Sequence, residues 1–476
     1  MCVIVSNQER SMKFLFLFTV AVVVLAYPAK GQTCTCESNF AWIKKTFEEN
    51  DAGFQYIIDN KGQAAYNIHN QLMLEKIKTA ETLTDCTELL SEWLKFFRSG
   101  HIGVQQLATT NNAFVPEKYK IDFSQFKKYI SEKKEADFEG IWATGVSKIG
   151  IKKDGNNYVA FFMESELEAR KPEDVLLRIK PDGDSFKTIS QHNIGDPKFI
   201  GKNNLQFEGM STWKRLSPVF SEDPDFENYY KSVLSRNPYL EELNVTTLYL
   251  RIPTFQIENK PAIDKVLSDN KNKITKTENL IIDLRNNGGG ASLSFYELLP
   301  FIYTNPIRGV NIEFLSTELN NKRSIEYSNN PNFDENTRQW YKSNYDKLQN
   351  KLGEFVNLSG NEVSIRQYDT VYEYPKNVGI IIDRGCASAT EHFLLNAKQS
   401  KKVKLFGTST YGMFDVANTY YVESPCKEFT LTYGLSRSLG LPEMAIDDIG
   451  IQPDFFIDNT IPQNGWVCFV NEILNQ

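Results

Sequence analysis

Residues 377–393 read "NVGIIIDRGCASATEHF". An unbroken apolar run from Val378 to Ile382 has no polar face, which suits a strand covered on both sides. Five residues of turn follow, and Ser388-Ala-Thr-Glu391 then has the spacing of a capping box at a helix start. The stretch therefore predicts a buried strand turning sharply into a helix. Ser388 is either a cap that satisfies backbone N–H groups or a nucleophile presented at a helix N-terminus, where the helix dipole favours developing negative charge.

The same plan recurs upstream. "NVTTLYLRIPTF" (244–255) and "ENLIIDLRNNGGG" (278–290) carry apolar cores, and "LSFYELLPFIY" (293–303) follows as a helix. Apolar strands alternating with helices predict a sheet covered by helices, so residues 225–476 read as an α/β domain. Gly288-Gly289-Gly290 lets backbone N–H groups converge without side-chain obstruction, which suits an oxyanion hole, a phosphate nest or a plain tight turn. The loop lacks the Lys-Ser/Thr pair of a phosphate-binding loop.

Earlier segments have other periods. "NFAWIKKTFEEN", "AAYNIHNQLMLEKIKTAET" and "CTELLSEWLKFFRSG" place apolar residues three and four apart, predicting a helical domain over 32–115 whose last helix stops at Gly100, just before His101. Residues 136–220 hold short β-branched and aromatic runs broken by Asp-Gly and Asn-Asn turns, which predicts a small antiparallel β module, with a small barrel as one arrangement. At the N-terminus Lys13 precedes "FLFLFTVAVVVLAY", with small residues around Ala29-Lys30-Gly31, so residues 1–31 read as a signal peptide. Export to the periplasm or the extracellular space follows, with no stable membrane insertion after cleavage. Cys34, Cys36, Cys86, Cys386, Cys426 and Cys468 then lie where disulfides form, with the pairing open. Cys34-Thr-Cys36 lacks zinc-ligand spacing, and a net charge of −7 leaves no basic field for nucleic acid.

Four blocks in order, "LIIDLRNNGGG", "VGIIIDRGCASATE", "KLFGTSTYG" and "GIQPD", resemble the signature of the tail-specific or C-terminal-processing serine peptidases, family S41. The resemblance covers residues 245–456. It implies a crotonase/ClpP-like α/β catalytic domain, peptide or unfolded protein as substrate, no cofactor and no metal. It makes Ser388 the nucleophile, with an oxyanion hole from Ala389 and Gly288, Gly289 or Gly290.

Lysine-type members carry a lysine after the aromatic-Gly pair of the third block, and here that position is Met413, which cannot accept a proton. The tricorn-like branch uses an upstream histidine instead, and Arg98-Ser-Gly-His101 fits that context. The implied triad is Ser388, His101 and Asp447, with Asp447 orienting the ring. His392, one helical turn beyond Ser388, is the alternative base; His69 and His192 sit in polar contexts without a motif. The β module lacks the carboxylate-binding loop of a PDZ domain. A catalytically inactive binding protein on the same scaffold is the rival reading; an acyl-CoA enzyme on a related scaffold is disfavoured by export and by the missing nucleotide site. Oligomeric state is not legible.

Overall fold

The computed structural model describes residues 34–107, 117–168, 170–183, 185–189, 195–207, 212–222 and 224–476. The signal-peptide reading and His192 lie outside these residues. Among them, no helix is long and apolar enough to cross a membrane.

The centre is a six-stranded sheet in the order Tyr239–Asn244, Thr247–Arg251, Asn279–Asp283, Asn377–Ile382, Val403–Gly407 and Phe455–Phe456. The first strand runs antiparallel to its neighbour and every later pairing is parallel. Leu280, Ile282, Val378, Ile380 and Ile382 face one side, packing with Leu267 and Phe393 of the helices Lys260–Ile274 and Ala389–Ala397. Ile281, Ile381 and Phe406 face the other side, under Trp466 and Val470 of the helix Trp466–Leu474. Cover on both faces explains why these strands read as continuous apolar runs.

A second sheet is organised by the strand Phe429–Ser438. One edge pairs with Val416–Glu423. The other pairs with Ile312–Leu315 and with Gly103–Gln106, a strand from the N-terminal part of the chain, where Gly103 stands opposite Thr432 and Gln106 opposite Phe429. The helices Cys36–Asn50, Phe54–Lys61, Gln63–Ile77 and Leu83–Leu94 pack against this sheet. Their buried Phe47, Leu90, Trp93 and Phe97 share one core with Phe429, Leu431, Tyr433 and Leu435. The helical segment is thus continuous with the sheet in its packing. Two disulfides reinforce the junction: Cys36–Cys86 joins two helices, and Cys34–Cys426 ties the start of the described chain to the turn before Phe429.

Between these parts, eight antiparallel strands from Gly140–Thr144 to Trp213–Ser217 form a separate sheet around Trp142, Ile149, Leu205 and Trp213. Among the described residues its hydrogen-bonded order runs from Ser185–Ile189 to Pro197–Ile200, and these two end strands approach each other: Phe186 and Phe199 both pack on Phe138, at 4.8 Å between ring centroids. The helix Phe123–Ser131 covers one face through Phe126 and Ile130.

Leu431 is wholly buried at the boundary between helices and sheet. Leu431→Ala is expected to lower the free energy of unfolding by about 2–5 kcal/mol. Because the core is shared, urea titrations followed by tryptophan fluorescence and by far-ultraviolet circular dichroism are expected to shift together.

Candidate active site

Ser388 follows the strand Asn377–Ile382 and occupies the N-cap of the helix Ala389–Ala397. Its φ of 56° and ψ of −115° lie in a region that non-glycine residues avoid, at a cost of order 1–3 kcal/mol. The capping box read from the spacing is present, with the Glu391 carboxylate accepting the Ser388 N–H at 2.9 Å. Glu391 does more than cap. It is fully buried and also accepts Thr410 Oγ1 at 2.6 Å, Gly412 N at 2.7 Å and Met413 N at 2.9 Å. Burial pushes its carboxyl above the ordinary range and these donors pull it back. The three backbone N–H groups can only donate, so they favour the ionised form.

The glycine loop lies against this turn. A Cβ on Gly289 would stand 2.5 Å from Ala387 O and 2.8 Å from Ala389 N, so only glycine, here at φ 95°, permits the approach. Buried Asn287 joins the two loops: its carbonyl accepts Ala387 N at 3.2 Å and Thr390 Oγ1 at 2.8 Å, and its side-chain oxygen accepts Gly289 N at 3.0 Å. That last bond removes Gly289 from the expected oxyanion donors. The N–H groups of Ala389, Gly288 and Gly290 have no acceptor among the described residues, and both glycines are exposed. Asp383 clamps the loops from behind, accepting Asn286 N at 2.8 Å and Gly385 N at 3.0 Å.

His101 precedes the strand Gly103–Gln106 and arrives with it. Its Nδ1 lies 2.7 Å from Val416 O. A carbonyl can only accept, so Nδ1 carries the proton and Nε2 of the neutral ring keeps its lone pair. Burial draws the His101 pKa below the ordinary value of 6.5, against the pull of the Val416 carbonyl and of Asp447.

The loop before His101 docks on the segment after Glu391. Ser99 N donates to Asp448 Oδ1 at 2.9 Å, and a Cβ on Gly100 would lie 2.1 Å from Met413 Cγ. Met413, the position of the absent lysine, thus fills the space beside the histidine loop.

Asp447 does not bond to the ring. It accepts Phe414 N at 2.6 Å, Asp415 N at 2.8 Å and Val416 N at 3.4 Å, and so fixes the segment whose carbonyl holds His101 while adding a negative field. Asp415 replies by accepting Ile446 N at 2.6 Å and Asp447 N at 2.7 Å; burial, then the neighbouring Asp447, raise its pKa to about 6.

The other histidines stand apart. His392 Nδ1 pairs with Ser292 Oγ at 2.8 Å, its ring lies edge-on to Phe295, and burial followed by Arg366 lowers its pKa to about 4. His69 bonds Trp93 O and stacks on Phe96 in the helical segment.

Sequence reasoning missed Glu391 as a junction, Asn287 as a link, the Val416 carbonyl and the Gly100–Met413 contact. Asn287 had a signal in its place beside the glycine triplet; the others depend on contacts between segments far apart in sequence. Of the non-glycine residues with positive φ, His101, Asn286, Ser388 and Asp448 all belong to this assembly. Such strain gathers where the surroundings over-determine the backbone.

The comparisons agree with this architecture. Residues 246–457 match the model of Peptidase family S41. No curated protein matches the chain in sequence. Among solved structures, mature CPAF is 14% identical with a TM-score of 0.52, covering 92% of this chain and 96% of that one. Mature CPAF complexed with lactacystin gives 15%, 0.52, 92% and 97%. At such identities the likeness is one of fold, a mixed α/β architecture.

Two substitutions probe the assembly. Glu391→Gln turns an amide NH₂ toward N–H donors and is expected to cost about 1–3 kcal/mol in urea unfolding. Gly100→Ala forces His101 or Met413 to move; it is expected to slow Ser388 acylation at least tenfold, with partial recovery in Gly100→Ala/Met413→Ala, read as a double-mutant cycle.

Proposed function

We propose that the chain is an exported serine peptidase that hydrolyses peptide bonds through an acyl-enzyme on Ser388, with His101 as general base. This reading is supported by a strained serine at a helix N-cap beside backbone N–H groups that have no acceptor among the described residues, and by a histidine, on a loop that docks against the Met413 turn held by Glu391, whose Nε2 is bare. The S41 match over residues 246–457 supports it.

In this mechanism Ser388 Oγ attacks the scissile carbonyl while His101 Nε2 takes its proton and later returns it to the leaving amine. The Ala389 N–H and one from Gly288 or Gly290 hold the oxyanion; a donor of this kind is worth ~10²- to 10³-fold in rate. The Val416 carbonyl fixes the tautomer directly. Asp447 stabilises the imidazolium through its field and holds the segment that carries the carbonyl. Glu391 fixes the turn that presents Ser388. The substrates are peptides or unfolded proteins, and no step needs a metal or an organic cofactor.

A fluorophosphonate probe is expected to label the wild type and not Ser388→Ala, and to label His101→Ala about 10²- to 10⁴-fold more slowly. Full-rate labelling of His101→Ala would remove His101 from the mechanism. Failure to label the wild type, together with peptide binding without turnover, would leave the non-catalytic binding protein.

The pH dependence has a definite sign. Because the His101 pKa is lowered, the ring stays neutral further into acid, so the acid limb of the labelling rate is expected to have its midpoint below 6.5. A midpoint above that value would contradict the burial argument.

A further inference from the structure

The strand beside the segment Ser292–Leu298 carries a cation whose role the mechanism leaves open. Arg366 ends the strand Val363–Arg366, which pairs with Ile307–Val310, and is half-buried. Its guanidinium lies 3.8 Å from the centroid of the Tyr296 ring. Arg98, Arg285 and Arg437 each hold a carboxylate, at 2.6, 2.6 and 2.8 Å. No carboxylate lies within 4.0 Å of Arg366 among the described residues.

That segment leads to the nucleophile. Tyr296 belongs to the 3₁₀ segment Ser292–Leu298, which begins two residues after the glycine triplet. Ser292 bonds His392, and His392 stands one helical turn, about 5.4 Å, beyond Ser388. The Tyr368 hydroxyl lies 3.5 Å from Tyr296 O and is in hydrogen-bond contact with the Arg366 guanidinium. Arg366 is close enough to act electrostatically on His392, which is itself uncharged at neutral pH.

A peptide extended from Ser388 along this segment advances about 3.3 Å per residue, so side chains within a few residues of the scissile bond come opposite Arg366. A guanidinium stacked on one ring and hydrogen-bonded to the Tyr368 hydroxyl keeps its remaining in-plane N–H groups for a carboxylate.

We propose that Arg366 receives a substrate carboxylate near the scissile bond and makes the site selective for acidic peptides. This rests on the peptidase reading of Ser388. Arg366 is a specificity residue, and its loss leaves attack by Ser388 intact.

The test uses acetylated, C-terminally amidated peptides that differ only in Glu or Gln at each position flanking the cleaved bond. At one position Glu is expected to raise kcat/KM by about 10- to 100-fold over Gln. Arg366→Gln is expected to abolish that preference and Arg366→Glu to transfer it to Lys, with fluorophosphonate labelling unchanged in both. A parallel arm without acidic side chains but with a free C-terminus separates the sources. Discrimination confined to that arm would support the carboxylate site with the chain end as its occupant. Equal turnover of every pair by a labelled wild type would overturn the inference and leave the peptidase standing, as would a labelling defect in Arg366→Gln that slows Glu and Gln peptides alike. Absence of wild-type labelling would overturn both readings.

Discussion

The assembly depends on a four-residue antiparallel pairing. Gly103–Gln106 adds to the edge of Phe429–Ser438, and His101 is carried with it to the segment 413–416. A strand so short cannot hold by itself; nucleating long-range β contacts costs loop-closure entropy that local bonds do not repay. The repayment comes from the helices behind it, whose Trp93 and Phe97 share a core with Leu431 and Tyr433, and from Cys34–Cys426, which closes the same long loop covalently. Burying aromatic surface thus sets the position of a proton acceptor.

On the other side, polar groups do the positioning. Three loops meet, after Asp283, after Ile382 and after Gly407, and their backbone donors converge on Asp383, Asn287 and Glu391. Asp383 and Glu391 each accept at least two N–H groups, and the Asn287 side chain accepts Gly289 N and the Thr390 hydroxyl, all at low exposure, where an unmet donor costs about 1–3 kcal/mol. The strained φ at Ser388 and Asn286 persists because releasing it would orphan these donors. Fold and site are therefore stabilised by different physics, apolar contact for the scaffold and saturated hydrogen bonding for the loops.

That division decides what the sequence discloses. The strands Asn279–Asp283 and Asn377–Ile382 were legible because burial on both faces leaves an unbroken apolar run, and the helix after Ser388 because its cap is written in four adjacent residues. The strand Gly103–Gln106 was not, since "GVQQ" has no period and exists as a strand only through its partner more than three hundred residues away. The helical pair Glu318–Ser328 and Glu335–Gln349, polar over much of its surface, gave no apolar stripe strong enough to mark it. Asp447 lies near the histidine without bonding to it, and which atom holds the ring is a matter of tenths of an ångström that spacing does not encode.

Met413 shows how one substitution and one distant contact are linked. Its backbone N–H is fixed by Glu391, so its side chain leaves the turn in a set direction, and in that direction lies Gly100. A lysine here would bring an ammonium beside a histidine whose protonated form burial already disfavours, with the Arg98 guanidinium adding to that effect. A second cation would depress the ring's basicity further, and its own desolvation would lower the lysine pKa in turn. A lysine and this histidine would compete for one desolvated space. An apolar, flexible methionine lets the histidine loop close against it, and glycine at 100 is the residue that makes room.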